Sequence, residues 1–147
     1  MSRANILVTD DFHCCLADFG LAIAAAESEA WVLSSSTTGS GKGAIQWMAP
    51  EYLAEYHSSH TSRDIYAFAC TIVEILTQHL PFPDCKTGYL VVSHVKANGR
   101  PLRPQSIWCT DKLWDLTTRC WAQNPDNRPT ATEVQSNLIH LGSPNHN

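Results

Sequence analysis

The sequence predicts a mainly α-helical chain that opens on one short β-hairpin. Three observations carry this. Between Asp64 and Thr77, apolar residues cover nearly the whole circumference of a helix, the pattern of a helix buried at the centre of a domain. Capping-box spellings stand at Thr61-Ser62-Arg63-Asp64 and Thr130-Ala131-Thr132-Glu133, each directly before an apolar run of helical period. Near the N-terminus two short apolar runs, Ile6-Leu7-Val8 and Cys14-Cys15-Leu16-Ala17, flank Thr9-Asp10-Asp11-Phe12-His13, whose paired aspartates favour a turn.

The elements follow in order. After the hairpin come Asp18-Phe19-Gly20, an alanine-rich stretch from Leu21 to Leu33, and the small polar tract Ser34 to Gly43, which reads as a loop. Ala49 to Leu53 is expected as a short helix with Pro50 early in its first turn. The helix from Asp64 to Thr77 places Ile65, Phe68, Ile72 and Leu76 on one face, with Tyr66, Ala69, Cys70, Val73 and Ile75 filling much of the rest. Thr87 to Asn98 is expected as a helix with Leu90, Val91 and Val95 inward. Arg100-Pro101-Leu102-Arg103-Pro104 cannot be helical inside. Thr110 to Trp121 spaces Leu113, Leu116 and Cys120 for one helix face. A last helix, from Thr130 to about Leu141, buries Val134, Leu138 and Leu141 and is stopped by Gly142 and Pro144. Residues 142–147 are expected as a flexible tail. Tryptophans 31, 47, 108, 114 and 121 are expected mostly as core or half-buried packing.

Composition narrows the function classes. The chain has 147 residues, the size of one domain on the rough prior of 100–200 residues. A hydrophobic share of 44% against 16% charged argues against wholesale disorder. The net charge is −4 and no block of like charge exceeds Asp10-Asp11, so the basic footprint of a nucleic-acid binder is missing. The longest uncharged apolar stretch, Ile65 to Val73, falls short of the ~20 residues that span a bilayer. The apolar run at Ile6 is shorter than a signal-peptide core. Six cysteines contain no Cys-x-x-Cys pair, and seven histidines show no metal-ligand spacing to them. Free thiols and a cytoplasmic location are the expectation.

Five clusters then fall in one order: Asn5-Ile6-Leu7, Asp18-Phe19-Gly20, Trp47-Met48-Ala49-Pro50-Glu51, Asp64-Ile65-Tyr66-Ala67-Phe68, and Cys120-Trp121 followed by Pro125 and Arg128-Pro129. In these the chain resembles the C-terminal lobe of a eukaryotic protein kinase from Asn5 to Leu141. The Trp-Met-Ala-Pro-Glu and Arg-Cys-Trp spellings resemble the tyrosine-kinase-like branch. The resemblance implies a partial kinase domain over residues 1–141: a hairpin, an activation segment, then about five helices. It also implies ATP-dependent phosphorylation of protein Ser, Thr or Tyr in signalling, with magnesium as the metal.

The same resemblance assigns roles. Asn5 and Asp18 stand as the two protein metal ligands; they supply an amide oxygen and a carboxylate, the hard donors magnesium takes. Asp18, Phe19 and Gly20 lie beside the cofactor. Gly43, Trp47, Met48, Ala49 and Pro50 border the substrate groove. Glu51 and Arg128 form a buried ion pair that joins the activation segment to the helical base. Asp64 anchors a helix start. Ser34, Ser35, Ser36, Thr37 and Thr38 lie where the family is regulated by phosphorylation.

Other family parts do not occur in the 147 residues. The catalytic-loop aspartate stands five residues ahead of the metal-binding asparagine, one position before Met1. No Gly-x-Gly-x-x-Gly and no Val-Ala-x-Lys occurs. Ser2, Ala44 and Ala69 depart from the family's usual residues, and Ala44 leaves open Ser/Thr against Tyr specificity. The expectation is that this polypeptide alone phosphorylates nothing, with no catalytic base to name and no productively bound ATP. Three readings stand: a fragment of an active kinase, a non-catalytic pseudokinase-like module that binds proteins, and the product of a decaying gene. Apolar surface around Asn5, Asp18 and Phe19 is expected to promote self-association.

Overall fold

The computed structural model describes residues 3–17, 44–52 and 60–142 of the chain. A single 3-10 turn, Arg3–Asn5, leads into strand β1 (Ile6–Val8), which pairs antiparallel with β2 (Cys14–Leu16). Ile6 faces Leu16, Leu7 faces Cys15 and Val8 faces Cys14, the hairpin the apolar runs predict. The turn is closed by the Thr9 and Phe12 amides, which donate to the His13 and Thr9 carbonyls at 2.9 Å. Phe12 carries the left-handed backbone, with φ 62.

The body consists of helices α1 (His60–Thr77), α2 (Gly88–Lys96), α3 (Asp111–Cys120) and α4 (Ala131–Gly142), with 3-10 turns at Ala44–Trp47 and Pro125–Asn127. α1 is the hub: α3 and the 3-10 turns at Arg3–Asn5, Ala44–Trp47 and Pro125–Asn127 all pack against it. Tyr66, Ala69 and Cys70 are 0% exposed, so α1 is buried as expected, but on a different face. Small residues at 67, 69 and 70 let neighbours approach the helix closely. The bulkier Phe68, Ile72 and Leu76 are left half-buried, and Ile75 is exposed.

Three further expectations are corrected. The helix expected at Ala49–Leu53 is a turn through Tyr52, whose amide donates to the Ala49 carbonyl at 3.0 Å; the preceding 3-10 turn is the helical piece, and Leu53 lies outside the described residues. The described helices are therefore four. α1 already runs at His60, so Thr61–Asp64 lies within the helix rather than capping it. A capping residue must have non-helical backbone, and Thr61 does not. Leu90, expected inward, is 45% exposed, one step around α2 from the fully buried Val91.

Elsewhere local chemistry sets the ends. Thr87 caps α2 and Thr110 caps α3, each side chain accepting from the third following amide. Gly88 sits where α2 crosses the Ala44–Trp47 turn: a Cβ there would stand 2.9 Å from Ile45 Cδ1. α2 ends in a left-handed Asn98, with the Gly99 amide donating to the His94 carbonyl at 2.8 Å. At α4 the Thr130 amide donates to Glu133 Oε2 at 2.7 Å while the Glu133 amide donates to Thr130 Oγ1 at 3.3 Å, a complete capping box. Those bonds hold the Glu133 carboxyl below its usual range. Gly142 is the last described residue of α4, which buries Val134 and half-buries Leu138 and Leu141. Trp47 and Trp121 are buried and Trp114 packs edge-on to Trp121 at 5.4 Å, whereas Trp108, expected as packing, is 74% exposed in the loop before α3.

Candidate functional site

Asn5 closes the first 3-10 turn and is half-buried. Its carbonyl accepts from the Ala17 amide at 2.8 Å, one step beyond the last strand pair. The hairpin therefore returns the chain to Asn5 immediately before Asp18. Asp18, Phe19 and Gly20 themselves lie outside the described residues, as do Gly43 and Ser34, Ser35, Ser36, Thr37 and Thr38. The Asn5 side-chain amide makes no hydrogen bond to a described residue, which leaves its oxygen available. The Asn5 amide oxygen is a hard donor of the kind magnesium takes. Among the described residues, no group of three or more His, Cys, Asp or Glu gathers as a metal site.

The turn that carries Asn5 is fastened to α1. The Arg3 backbone amide donates to Glu74 Oε2 at 2.8 Å, and Arg3 Nε lies 3.8 Å from Glu74 Oε1. Arg3 Nη1 also donates to Gln78 Oε1. Glu74 is 7% exposed, a charged side chain set into the largely buried helix α1. In the sequence Glu74 reads only as the end of an apolar run, since its partner lies 71 residues away.

Glu51 and Arg128 are brought together in the body. Arg128 Nη1 and Nη2 donate to Glu51 Oε1 and Oε2 at 2.6 and 2.7 Å, a bidentate fork. The Arg128 side chain is wholly buried, and two backbone carbonyls take further donors: Nε donates to Ala122 at 2.9 Å and Nη1 to Ser62 at 3.0 Å. Its guanidinium also lies 5.2 Å from the Tyr66 ring centre, and Arg100 lies 5.3 Å from the same ring. Arg100 donates to the Trp121 and Gly99 carbonyls at 2.9 and 2.7 Å, tying the α2–α3 loop to the end of α3. Burial pushes the Tyr66 phenol far up and the Arg100 guanidinium down. Neither Tyr66 nor Arg100 carries a motif signal that marks it as part of this cluster.

The remaining sequence-derived candidates divide. Trp47, Ala49 and Pro50 are buried and Met48 is half-buried against the core. Gln46, unremarked in the sequence, holds this segment down by accepting from the Phe82 amide at 3.1 Å. Asp64 is exposed on α1 and makes no hydrogen bond to a described residue.

A profile of the protein tyrosine and serine/threonine kinase family matches residues 1–138. The chain belongs to this kinase family. The human proto-oncogene tyrosine-protein kinase ROS is 41% identical over 101 residues, covering 68% of this chain and 4% of that relative. The probable serine/threonine-protein kinase drkD of Dictyostelium discoideum is 34% identical over 131 residues, 88% of this chain and 9% of the relative. The transforming protein ros of UR2 avian sarcoma virus, a tyrosine-protein kinase, is 38% identical over 104 residues, 70% of this chain and 25% of the relative. The chain thus spans a small part of the length of these curated relatives. What it holds of a kinase domain is a hairpin and a mainly helical body joined through Glu74. No described helix is long and apolar enough to cross a membrane.

Proposed function

We propose that this chain is the helical C-terminal lobe of a tyrosine-kinase-like protein kinase, the part that holds metal and receives the protein substrate. The observation that supports it most is the Ala17–Asn5 hydrogen bond, which returns the segment leading into Asp18 to the turn ending at Asn5. Asn5 and Asp18 would hold magnesium, which when bound neutralises the ATP phosphates during transfer to a Ser, Thr or Tyr hydroxyl. Phe19 and Gly20 follow beside the nucleotide. Trp47, Ala49 and Pro50, buried as they are, support the substrate groove from beneath, with Gly43 and Met48 at its border. The Glu51–Arg128 fork fixes that segment to the body, and Asp64 marks the exposed side of α1. Phosphorylation of Ser34, Ser35, Ser36, Thr37 or Thr38 would add charge to the segment ahead of the groove.

The 147 residues contain no Gly-x-Gly-x-x-Gly and no Val-Ala-x-Lys phosphate-binding motif. Turnover therefore requires groups from outside them, and the polypeptide alone is inactive. The test has two arms: phosphate transfer from radiolabelled ATP to a generic protein substrate, and Mn2+-induced broadening of the Asn5 side-chain resonance in the purified chain. Broadening without label transfer is expected. Label transfer by the 147-residue chain overturns the inactive reading, and absence of broadening overturns the ligand reading.

A second reading, a non-catalytic protein-binding module, is favoured by one observation. Leu7, Val8, Phe12 and Leu16 leave apolar side chains more than half exposed on the hairpin. Such a surface also supports self-association. Sedimentation of the wild type against Leu7→Ser/Phe12→Ser separates the two: a self-associating hairpin dissociates in the variant.

A further inference from the structure

Arg3 is the residue through which α1 holds the candidate ligand turn, and the two groups that grip it lie one helical turn apart. Glu74 and Gln78 are related as i and i+4, so both face the Arg3–Asn5 turn from the end of α1. Glu74 takes the Arg3 backbone amide at 2.8 Å and approaches its guanidinium at 3.8 Å. Gln78 is fixed at both ends of its own amide: Nε2 donates to the Ile75 carbonyl at 2.6 Å and Oε1 accepts from Arg3 Nη1.

Gln78 does this from a disfavoured backbone. Its φ is 60, the left-handed region in which glycine is at ease and a side chain is strained. A helix end that needed only a stop would be better served by glycine. A side chain kept there has a use that glycine cannot fill, and the structure shows one: the grip on Arg3. The next two residues are Ala4 and Asn5, whose carbonyl fixes the returning strand through Ala17.

We propose that Glu74 and Gln78 are positioning residues for Asn5. They set the Arg3–Asn5 turn against the end of α1 so that the Asn5 amide oxygen is held in one orientation. The functional meaning of this clamp rests on the reading of Asn5 as a metal ligand, but the clamp itself is measurable without metal.

The experiment uses the isotope-labelled 147-residue chain and the variants Glu74→Ala, Glu74→Gln and Gln78→Gly. In Glu74→Ala the Arg3 amide should exchange with solvent about tenfold faster, and Glu74→Gln, which keeps an acceptor, should restore part of the protection. In Gln78→Gly the relief of strain should leave the thermal midpoint unchanged or raised, while the order of the Asn5 side-chain amide, read by nitrogen relaxation, falls. A residue with a merely structural role would move stability and Asn5 order in the same direction. Unchanged Asn5 order in a folded Gln78→Gly variant overturns the proposal. Gln78→Gly keeps the test decisive even where Glu74→Ala does not fold. Mn2+ broadening of Asn5 in the wild type is scored separately. Its absence, with the clamp responses intact, removes the metal reading and leaves the positioning role supported.

Discussion

In the helical body, α1 buries Tyr66, Ala69 and Cys70 completely, and its deepest charge, Arg128, has a bidentate partner, two backbone acceptors and a ring face around it. In the hairpin, Leu7, Val8, Phe12 and Leu16 are all more than half exposed, and the strands have three paired positions between them. A two-stranded hairpin of that kind is marginal by itself in water. Among the described residues, Arg3 ties its entry to Glu74 on α1 and to Gln78 just past the end of that helix. The contrast teaches that stability and candidate chemistry are separated in this chain. The body supplies the first, and among the described residues the turn that carries Asn5 into the hairpin is bonded to it through Arg3.

The sharpest way to break this contrast is Arg128→Ala, which strands Glu51 as a buried charge. A loss of about 3–5 kcal/mol is expected by urea denaturation, enough to unfold the body. A loss below about 1 kcal/mol would show that the pair is not where the stability resides. The next effect is alkaline. Burial pushes the Cys70 thiol from its ordinary 9.0 up to about 12 and the Cys120 thiol up to about 11. The unfolded chain therefore loses these protons first. The stabilisation is complete below pH 9.0 and is lost as pH rises through 11 and 12, visible as a thermal midpoint that falls steadily in this window.

The same contrast can be read thiol by thiol. Iodoacetamide at pH 8 should modify exposed Cys14 and Cys15 of the hairpin first, and buried Cys70, Cys109 and Cys120 only on unfolding, as resolved by peptide mass spectrometry. Smaller still is Thr130→Ala, which opens the capping box of α4 for about 1 kcal/mol, measured by the same denaturation. At the bottom of the scale, Leu7→Ser on the hairpin should shift the stability of the body by less than about 0.5 kcal/mol. A larger shift would mean that the hairpin is packed more firmly than its exposure indicates.

What the sequence made legible was local. The hairpin follows from two apolar runs around a turn. The caps at Thr87, Thr110 and Thr130 act on amides three residues away. The start of α1 was misread because Thr61-Ser62-Arg63-Asp64 spells a cap, and a spelling does not report whether the helix has already begun. Trp108 was misread because its exposure depends on how the loop after Pro104 is carried, not on its neighbours in sequence. Within the candidate site, motif spacing named Asn5, Glu51 and Arg128, but Glu74, Gln78, Tyr66 and Arg100 act through partners supplied by distant segments. A buried glutamate in an apolar run looks like an interruption until Arg3 is placed beside it.

The 77 residues that separate Glu51 from Arg128 also set an order of assembly during synthesis. The hairpin can close early, since its contacts are short in sequence. Glu51 leaves the ribosome long before the segment carrying Arg128 exists, and closing so long a loop must await that segment. Until then a carboxylate that the finished body shelters has only water to accept. Within these residues the candidate ligand turn is therefore made before the core can lock, and the segment carrying Arg128 is the one that closes the pair.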